Sequence, residues 1–118
     1  MIEGVGFSKK EHLLKSKDFR NVYTKGRKIS VGGTAVCVLE NTFGYNRLGF
    51  SISSRNFKLA TTRNRIRRLF REVYRLNKAE LKTGFDLVVI VKRGFSRDSS
   101  YNEVEQFFKS LVKKAGLT

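Results

Sequence analysis

The sequence contains no proline, no tryptophan, one cysteine and one histidine in 118 residues. The single cysteine, Cys37, has no partner for an internal disulfide, which suits a reducing compartment and predicts a cytoplasmic protein. One cysteine and one histidine, His12, do not supply the ligands of a zinc site, and they make a Cys/His nucleophile pair unexpected. The absence of proline argues against a polyproline recognition arm.

Long apolar runs are also missing from the sequence. The longest run, 87–91, has the length of a strand and falls far short of the roughly 18–20 residues that cross a bilayer. Residues 1–6 lack a basic region followed by an apolar stretch, so no secretory signal is expected. We therefore expect no membrane partner.

Acidic residues are scarce relative to basic ones. Lys and Arg number 25 against 10 Asp and Glu, which gives a formal net charge of +15. Hydrophobic residues still make up 40% and aromatic residues 12% of the chain, enough to form a core. The length predicts one domain over 1–118. A small, basic, foldable domain predicts a polyanionic partner.

The hydrophobic periodicity predicts an α+β fold, a single-domain α-β sandwich with the element order α-β-β-β-α-β-α. Helices are predicted at 16–26, about 57–77 and 100 to about 115, with Ser16, Asn56 and Ser100 as candidate N-caps. Strands are predicted at 27–31, 34–40, 47–53 and 86–92. The second and third strands, joined by a turn-rich segment, are expected to pair antiparallel. The continuous apolar run of the last strand predicts a central place beside a parallel neighbour, reached by a crossover that is right-handed by the general rule.

The long predicted helix carries an excess of arginine. From 55 to 75 there are eight basic residues and one acidic residue, Glu72. At ~100° per residue, the apolar side chains face one way and a polar, mostly arginine stripe faces the other. The stripe comprises Asn64, Arg65, Arg67, Arg68, Arg71 and Arg75.

Arginine binds phosphate oxygens through a planar fork of two hydrogen bonds. Like charges four residues apart each destabilise an isolated helix by about 0.2–0.5 kcal/mol, so the stripe is not explained by stability. It therefore predicts polyanion binding rather than a solvated charged face, which normally mixes signs. A membrane surface is disfavoured because the apolar face is needed for the core, whereas RNA and DNA stay open on these grounds.

The segment Arg63-Asn64-Arg65-Ile66-Arg67-Arg68-Leu69-Phe70-Arg71-Glu72 resembles the bacterial RNase P protein subunit family. That family carries an Arg-Asn-Arg segment followed by two basic residues, two apolar residues and Arg-Glu. The resemblance extends to 14–26, which is similar to the family's first helix, and to 47–53 and 85–91, which are similar to its strands around the arginine helix. The order of elements agrees from about 13 to 111.

The resemblance implies a fold of the kind found in domains of ribosomal proteins and translation elongation factors. It also implies a left-handed crossover, contrary to the general rule. The implied function is the accessory subunit of an RNA-based endoribonuclease that removes the 5′ leader from precursor tRNA. Its implied partners are the catalytic RNA and precursor tRNA, with Mg²⁺ bound mainly by the RNA, no organic cofactor and no obligate protein partner.

The resemblance also assigns residues to two RNA surfaces, with no catalytic or metal-ligating residue on this chain. The catalytic RNA is expected to contact Arg55, Arg63, Asn64, Arg65, Arg67, Arg68 and Arg71. The single-stranded leader is expected in a cleft between the first helix and the sheet, at Phe19, Tyr23, Arg47 and Ser51. Aromatic side chains suit this task because every base offers a face for stacking.

The sequence departs from the family pattern at two places. Cys37 stands at a strand position that is often aromatic, which predicts one stacking platform fewer in the cleft. Ser54-Arg55 replaces a pair that is often basic on both positions, which weakens the expected RNA contact at that corner.

Three alternatives stay open from the residues alone. Phe19 and Tyr23 also fit core packing. A structural RNA-binding protein of the ribosomal type would share the charge and the fold. A DNA-binding domain with its helix in a major groove is less suited, because base-reading helices carry a few distinct readers rather than a uniform cationic stripe.

Overall fold

The computed structural model describes residues 9–118. The helices are α1 (Ser16–Lys25), α2 (Ala60–Asn77) and α3 (Tyr101–Lys114), and short 3-10 turns occur at Lys9–Glu11 and Lys78–Glu80. The strands are β1 (Arg27–Val31), β2 (Thr34–Glu40), β3 (Arg47–Ile52) and β4 (Phe85–Val91). This confirms the α+β class and the predicted order of elements. The predicted absence of a secretory signal at 1–6 lies outside the described residues.

The four strands form one mixed sheet in the order β1-β2-β4-β3. β1 and β2 pair antiparallel, β2 and β4 pair antiparallel, and β3 and β4 pair parallel. The central position of β4 and its parallel neighbour are confirmed, whereas the left-handed crossover stays a prediction.

The expected pairing of β2 with β3 is wrong, because β4 lies between them. β4 is apolar on both of its faces, with Leu87, Val88 and Val89 buried, so it gains most from an internal position. The loop at 41–46 is long enough to step across the roughly 10 Å that two strand spacings require.

The two faces of the sheet carry different helices. Val36, Val38 and Val89 belong to a large core with α2 and α3. On the opposite face, Cys37 and Val88 pack beneath α1 in a smaller core. The result is a sandwich in which, among the helices of residues 9–118, α1 covers one face at β1, β2 and β4.

The N-termini of two helices differ from the prediction. Ser16 is the first residue of α1 rather than its cap, and Lys15 takes the cap position without a side-chain hydrogen bond. α2 begins at Ala60, not near 57, and its cap position is held by Leu59. Asn56 instead donates from Nδ2 to the Lys92 carbonyl at 2.6 Å.

The reason for the late start of α2 is an arginine within the helix. Arg63 Nη1 donates to the carbonyls of Phe57 at 2.7 Å and Lys58 at 3.1 Å, while the Phe57 side chain is buried. These contacts hold the preceding segment out of the helix. The predicted cap of α3 is confirmed, since the Ser100 hydroxyl accepts a hydrogen bond from the Glu103 N–H at 3.2 Å.

The chain before α1 is anchored to the rest of the domain, which the sequence did not indicate. The Leu13 N–H donates to the Leu48 carbonyl at 2.9 Å, so this segment lies along the outer edge of β3. Glu11 is buried and accepts from Lys78 Nζ at 3.0 Å and from the Tyr74 hydroxyl at 3.3 Å. Within residues 9–118, no helix combines the length and apolarity that crossing a bilayer requires.

Candidate nucleic-acid interface

The outer face of α2 presents the predicted arginines because the inner face is fully committed to the core. Ile66, Phe70 and Val73 are completely buried. Their 3.6-residue spacing turns the polar stripe outward. We call its six residues the arginine face: Arg63, Asn64, Arg65, Arg67, Arg68 and Arg71. Asn64, Arg65 and Arg68 are exposed, and the other three are half-buried.

Several of these arginines also contact the protein itself. Arg63 holds the segment before α2, and Arg65 Nη2 donates to the Ser99 carbonyl at 3.2 Å. Arg75, predicted on the stripe, forms an ion pair with Glu72 that lowers the pKa of that carboxyl. Within residues 9–118, the side chains of Arg68 and Arg55 make no hydrogen bond or ion pair, and both residues are exposed.

Arg71 is the least satisfied cation on the arginine face. Its guanidinium lies 5.6 Å from the centre of the Phe50 ring, and its Nε is buried without a hydrogen-bond partner in the described chain. Burial and the nearby charge of Arg67 lower the pKa of Arg71. A buried donor without an acceptor is costly, and an anionic acceptor would relieve both the missing bond and the repulsion.

The two predicted RNA surfaces meet in one groove, which we call the junction groove. It has a volume of about 150 Å³ and lies between α1, the edge strand β3 and α2. Its lining comprises Leu13, Leu14, Phe19, Leu48, Gly49, Phe50, Arg67 and Arg71. The structure thus brings a residue predicted for the leader together with two predicted for the catalytic RNA.

The two aromatic residues of α1 occupy different environments. Phe19 is half-buried and packs over Gly49, while Tyr23 is 45% exposed, and their ring centres lie 6.3 Å apart. Core packing therefore accounts for the buried part of the Phe19 side chain and for little of the Tyr23 side chain. Cys37 is buried beneath α1, and burial raises the pKa of its thiol, so it offers no stacking surface to a ligand.

Gly49 sets the distance between Phe19 and β3. A Cβ at this position would lie 2.7 Å from Phe19 Cζ and 2.9 Å from the Leu13 carbonyl oxygen. We expect Gly49→Ala to displace Phe19 and the 12–13 segment and to destabilise the fold by roughly 1–3 kcal/mol, the usual penalty of overpacking. Thermal unfolding measures this. Gly84→Ala is the control. It replaces a glycine at φ 91° with open space around it, so backbone strain acts there but displacement of Phe19 does not. A Gly49→Ala variant with unchanged stability and unchanged leader binding would contradict the predicted contact.

Arg47 and Ser51, both predicted for the leader, lie on β3. Arg47 donates from Nε and Nη2 to the two Asp86 oxygens at 2.8 and 2.6 Å and lies 3.5 Å from Asp18. The hydrogen bond to Asp86 raises the pKa of Arg47, whose fork is therefore already engaged. Ser51 is exposed, and its register opposite Ile90 places it on the face of the sheet that α1 covers in part.

A second depression lies on the α1 side of the sheet and was missed from the sequence. It has a volume of about 210 Å³, and three cations line it: Lys28, Lys92 and Arg93. Thr34 also lines it, and its buried hydroxyl has no hydrogen-bond partner in the described residues. These cations come from β1 and from the end of β4, so only strand pairing brings them together.

The β2–β3 loop holds another group that the sequence analysis did not single out. Phe43 and Tyr45 stack with ring centres 5.6 Å apart. The Arg47 guanidinium lies 4.6 Å from the Phe43 ring centre, and Lys10 Nζ lies 4.6 Å from that of Tyr45. We call these four residues the loop stack. The signal in the sequence that could have indicated this group is a pair of aromatic residues flanking Gly44 in a turn-rich segment.

No group of three or more His, Cys, Asp or Glu side chains that could hold a metal ion occurs within 9–118. The residues present thus offer no Mg²⁺ cage on this part of the chain, and no metal-dependent step is assigned to them.

Fold and surface together define a small, strongly basic α+β domain that carries an arginine face on the helix crossing between two parallel strands. The family model described as Ribonuclease P matches residues 7–116, and the chain belongs to this family. It is 38% identical over 113 residues to the ribonuclease P protein component of Clostridioides difficile, covering 95% of this chain and 97% of the relative. It is 40% identical over 110 residues to that of Clostridium botulinum strain Loch Maree, covering 92% and 97%.

Solved structures agree with this assignment. The RNase P protein from Thermotoga maritima superposes with a TM-score of 0.79 at 31% identity, covering 88% of this chain and 96% of that one. A Staphylococcus aureus RNase P protein mutant with defective mRNA degradation activity superposes with a TM-score of 0.83 at 25% identity, covering 93% and 92%. The implied role as a subunit of ribonuclease P is confirmed: the chain is a protein subunit of ribonuclease P in tRNA 5′ processing, part of an endoribonuclease complex and a partner of its RNA subunit.

Proposed function

We propose that the chain acts in ribonuclease P by holding two RNAs at once. The catalytic RNA lies on the arginine face, and the single-stranded 5′ leader of precursor tRNA lies in the cleft between α1 and the sheet. The observation that carries this proposal is the junction groove, where Phe19 meets Arg67 and Arg71. The leader bound in the cleft and the catalytic RNA bound on α2 would therefore approach each other at this groove.

The arginine face supports the first half of the proposal. Arg68 is exposed, and the buried Arg71 Nε has no acceptor among residues 9–118, which a phosphate oxygen would supply. Arg67 is held by Asn64 Oδ1, which accepts from its Nη1 at 2.7 Å, so its guanidinium is oriented before RNA arrives. Preorganisation reduces the entropy lost on binding. Arg63 and Arg65 belong to the same face, and Arg55 is proposed to extend it.

The α1 side of the sheet supports the second half. Tyr23 and the exposed part of Phe19 offer ring faces for bases. Ser51 lies on the same side of the sheet, and the depression at Lys28, Lys92 and Arg93 would attract the phosphates that follow. Because Arg47 is engaged with Asp86, we propose that it positions α1 through Asp18 rather than binding leader phosphate itself.

Cleavage itself is proposed to belong to the catalytic RNA, with Mg²⁺ held mainly by that RNA. The protein's role is then to raise affinity for the precursor and to concentrate positive charge beside the RNA. A cytoplasmic location, the absence of an organic cofactor and the absence of an obligate protein partner stay predictions.

The test is cleavage of precursor tRNA at low Mg²⁺ by the catalytic RNA, with the protein added or omitted. We expect faster leader removal with the protein and no cleavage by the protein alone. The stimulation should shrink for a precursor with no unpaired leader. Cleavage by the protein alone would overturn the assignment of chemistry to RNA. Tight binding to ribosomal RNA without any stimulation would instead favour a structural RNA-binding protein.

A further inference from the structure

The loop between β2 and β3, residues 41–46, is held in a defined shape. Asn41 Oδ1 accepts from the Phe43 N–H at 3.0 Å, and Asn41 Nδ2 donates to the Tyr45 carbonyl at 3.2 Å and to Asp86 Oδ1 at 2.9 Å. Gly44 has φ 80°, a conformation that other residues rarely adopt. The loop is therefore closed by its own hydrogen bonds rather than by packing of its aromatic rings.

The far end of the loop is anchored as well. Asn46 is buried, donates from Nδ2 to the Lys82 carbonyl at 2.9 Å and accepts from the Phe85 N–H at 2.9 Å. These bonds tie the loop to the start of β4. Phe43 and Tyr45 are thus presented from a rigid base.

The Phe43 side chain lies on the surface, where it takes no part in core packing. It is 50% exposed, and it belongs to neither hydrophobic core. The Arg47 guanidinium lies over the Phe43 ring and is fixed there by its hydrogen bond to Asp86. A rigid, half-exposed aromatic ring suits the stacking of an unpaired base, and a second cation at the stack, Lys10, is available for the phosphate because Arg47 is engaged with Asp86.

We propose that the loop stack binds an unpaired nucleobase of RNA, which stacks on Phe43 or Tyr45 while Lys10 attracts its phosphate. The net charge of +15 makes a polyanion the fitting occupant. The loop stack is continuous with the leader cleft, because Arg47 also contacts Asp18, the neighbour of Phe19 on α1. The inference rests on the proposed RNA-binding function and extends its surface to a loop outside the two predicted sites.

The absence of tryptophan from the chain makes a direct test available. Phe43→Trp introduces a single tryptophan at the stack, where the native side chain is 50% exposed, whereas Leu76→Trp introduces one at a side chain that is 51% exposed, near the end of α2. We expect a single-stranded oligoribonucleotide of leader length, or the catalytic RNA alone, to quench Phe43→Trp saturably and to leave Leu76→Trp unquenched. The two ligands distinguish the leader from an unpaired segment of the catalytic RNA.

Affinity measurements complete the test. Loss of the stacking of one base weakens binding roughly 5- to 150-fold, so Phe43→Ala should bind one of the two RNAs that much more weakly, while Leu76→Ala binds as the unaltered chain does. Melting curves check that Phe43→Ala is folded, and Phe43→Tyr should restore binding. If Phe43→Ala binds both RNAs as tightly as Leu76→Ala, the inference is overturned and the proposed function stands. If the unaltered chain binds neither RNA, the proposed function fails, and the inference fails with it.

Discussion

Asp86→Ala should lower the free energy of unfolding by about 3–5 kcal/mol, the penalty for removing one partner of a buried ion pair. Asp86 is 3% exposed and accepts two hydrogen bonds from the Arg47 fork. Without the Asp86 carboxylate, the guanidinium of Arg47 stays mostly buried and keeps only the longer contact with Asp18 as compensation. The same oxygen that accepts from Arg47 Nε also accepts from Asn41, so the β2–β3 loop would loosen too. Urea unfolding monitored by circular dichroism measures the change.

Asp18→Ala is the matched control for this prediction. Asp18 is the second carboxylate near Arg47, but its contact is longer, at 3.5 Å, and its side chain is more exposed. We expect a loss of about 0–1 kcal/mol, as for a weak surface pair. Equal effects of Asp18→Ala and Asp86→Ala would show that the buried Arg47–Asp86 pair is not what anchors β3 to β4.

The double variant Arg67→Ala/Arg71→Ala should show the largest loss of RNA binding. Each phosphate contact contributes roughly 0.7–0.9 to the slope of log affinity against log salt, so removing two should flatten the slope by about 1.4–1.8. Arg67→Ala alone should account for about half. Binding of the catalytic RNA, measured from low to moderate salt, tests the additivity. Stability should change little, because Arg71 repels Arg67 and its Nε is unsatisfied in the described chain.

Lys113→Ala/Lys114→Ala removes the same charge from the end of α3 and serves as the control. Both lysines are exposed, and Lys114 Nζ contacts the Ser30 carbonyl at 3.1 Å. Their attraction to RNA would be diffuse, so the salt slope should change by much less. A slope change that depends only on the number of charges removed would exclude localised phosphate contacts by Arg67 and Arg71.

The sequence predicted the elements whose patterns are local. The spacing of Ile66, Phe70 and Val73 oriented α2, and the capping pattern at Ser100 placed the start of α3. The sequence placed the start of α2 too early, because the observed start depends on hydrogen bonds from Arg63 to the carbonyls of two earlier residues. A propensity for capping at Asn56 does not reveal that its side chain donates a hydrogen bond to the carbonyl of Lys92, which follows β4.

The sequence by itself determined that this is a basic α+β domain with one arginine-rich helix, because charge and 3.6-residue periodicity are properties of neighbouring residues. Only the tertiary structure decided that β4 separates β2 from β3, since pairing depends on which strand gains most by burial on both faces. The pairing of β3 with β4 places Arg47 next to Asp86. The packing around β3 places Phe19, Arg67 and Arg71 in one groove. The meeting of the two predicted RNA surfaces therefore depends on long-range packing, which no local pattern records.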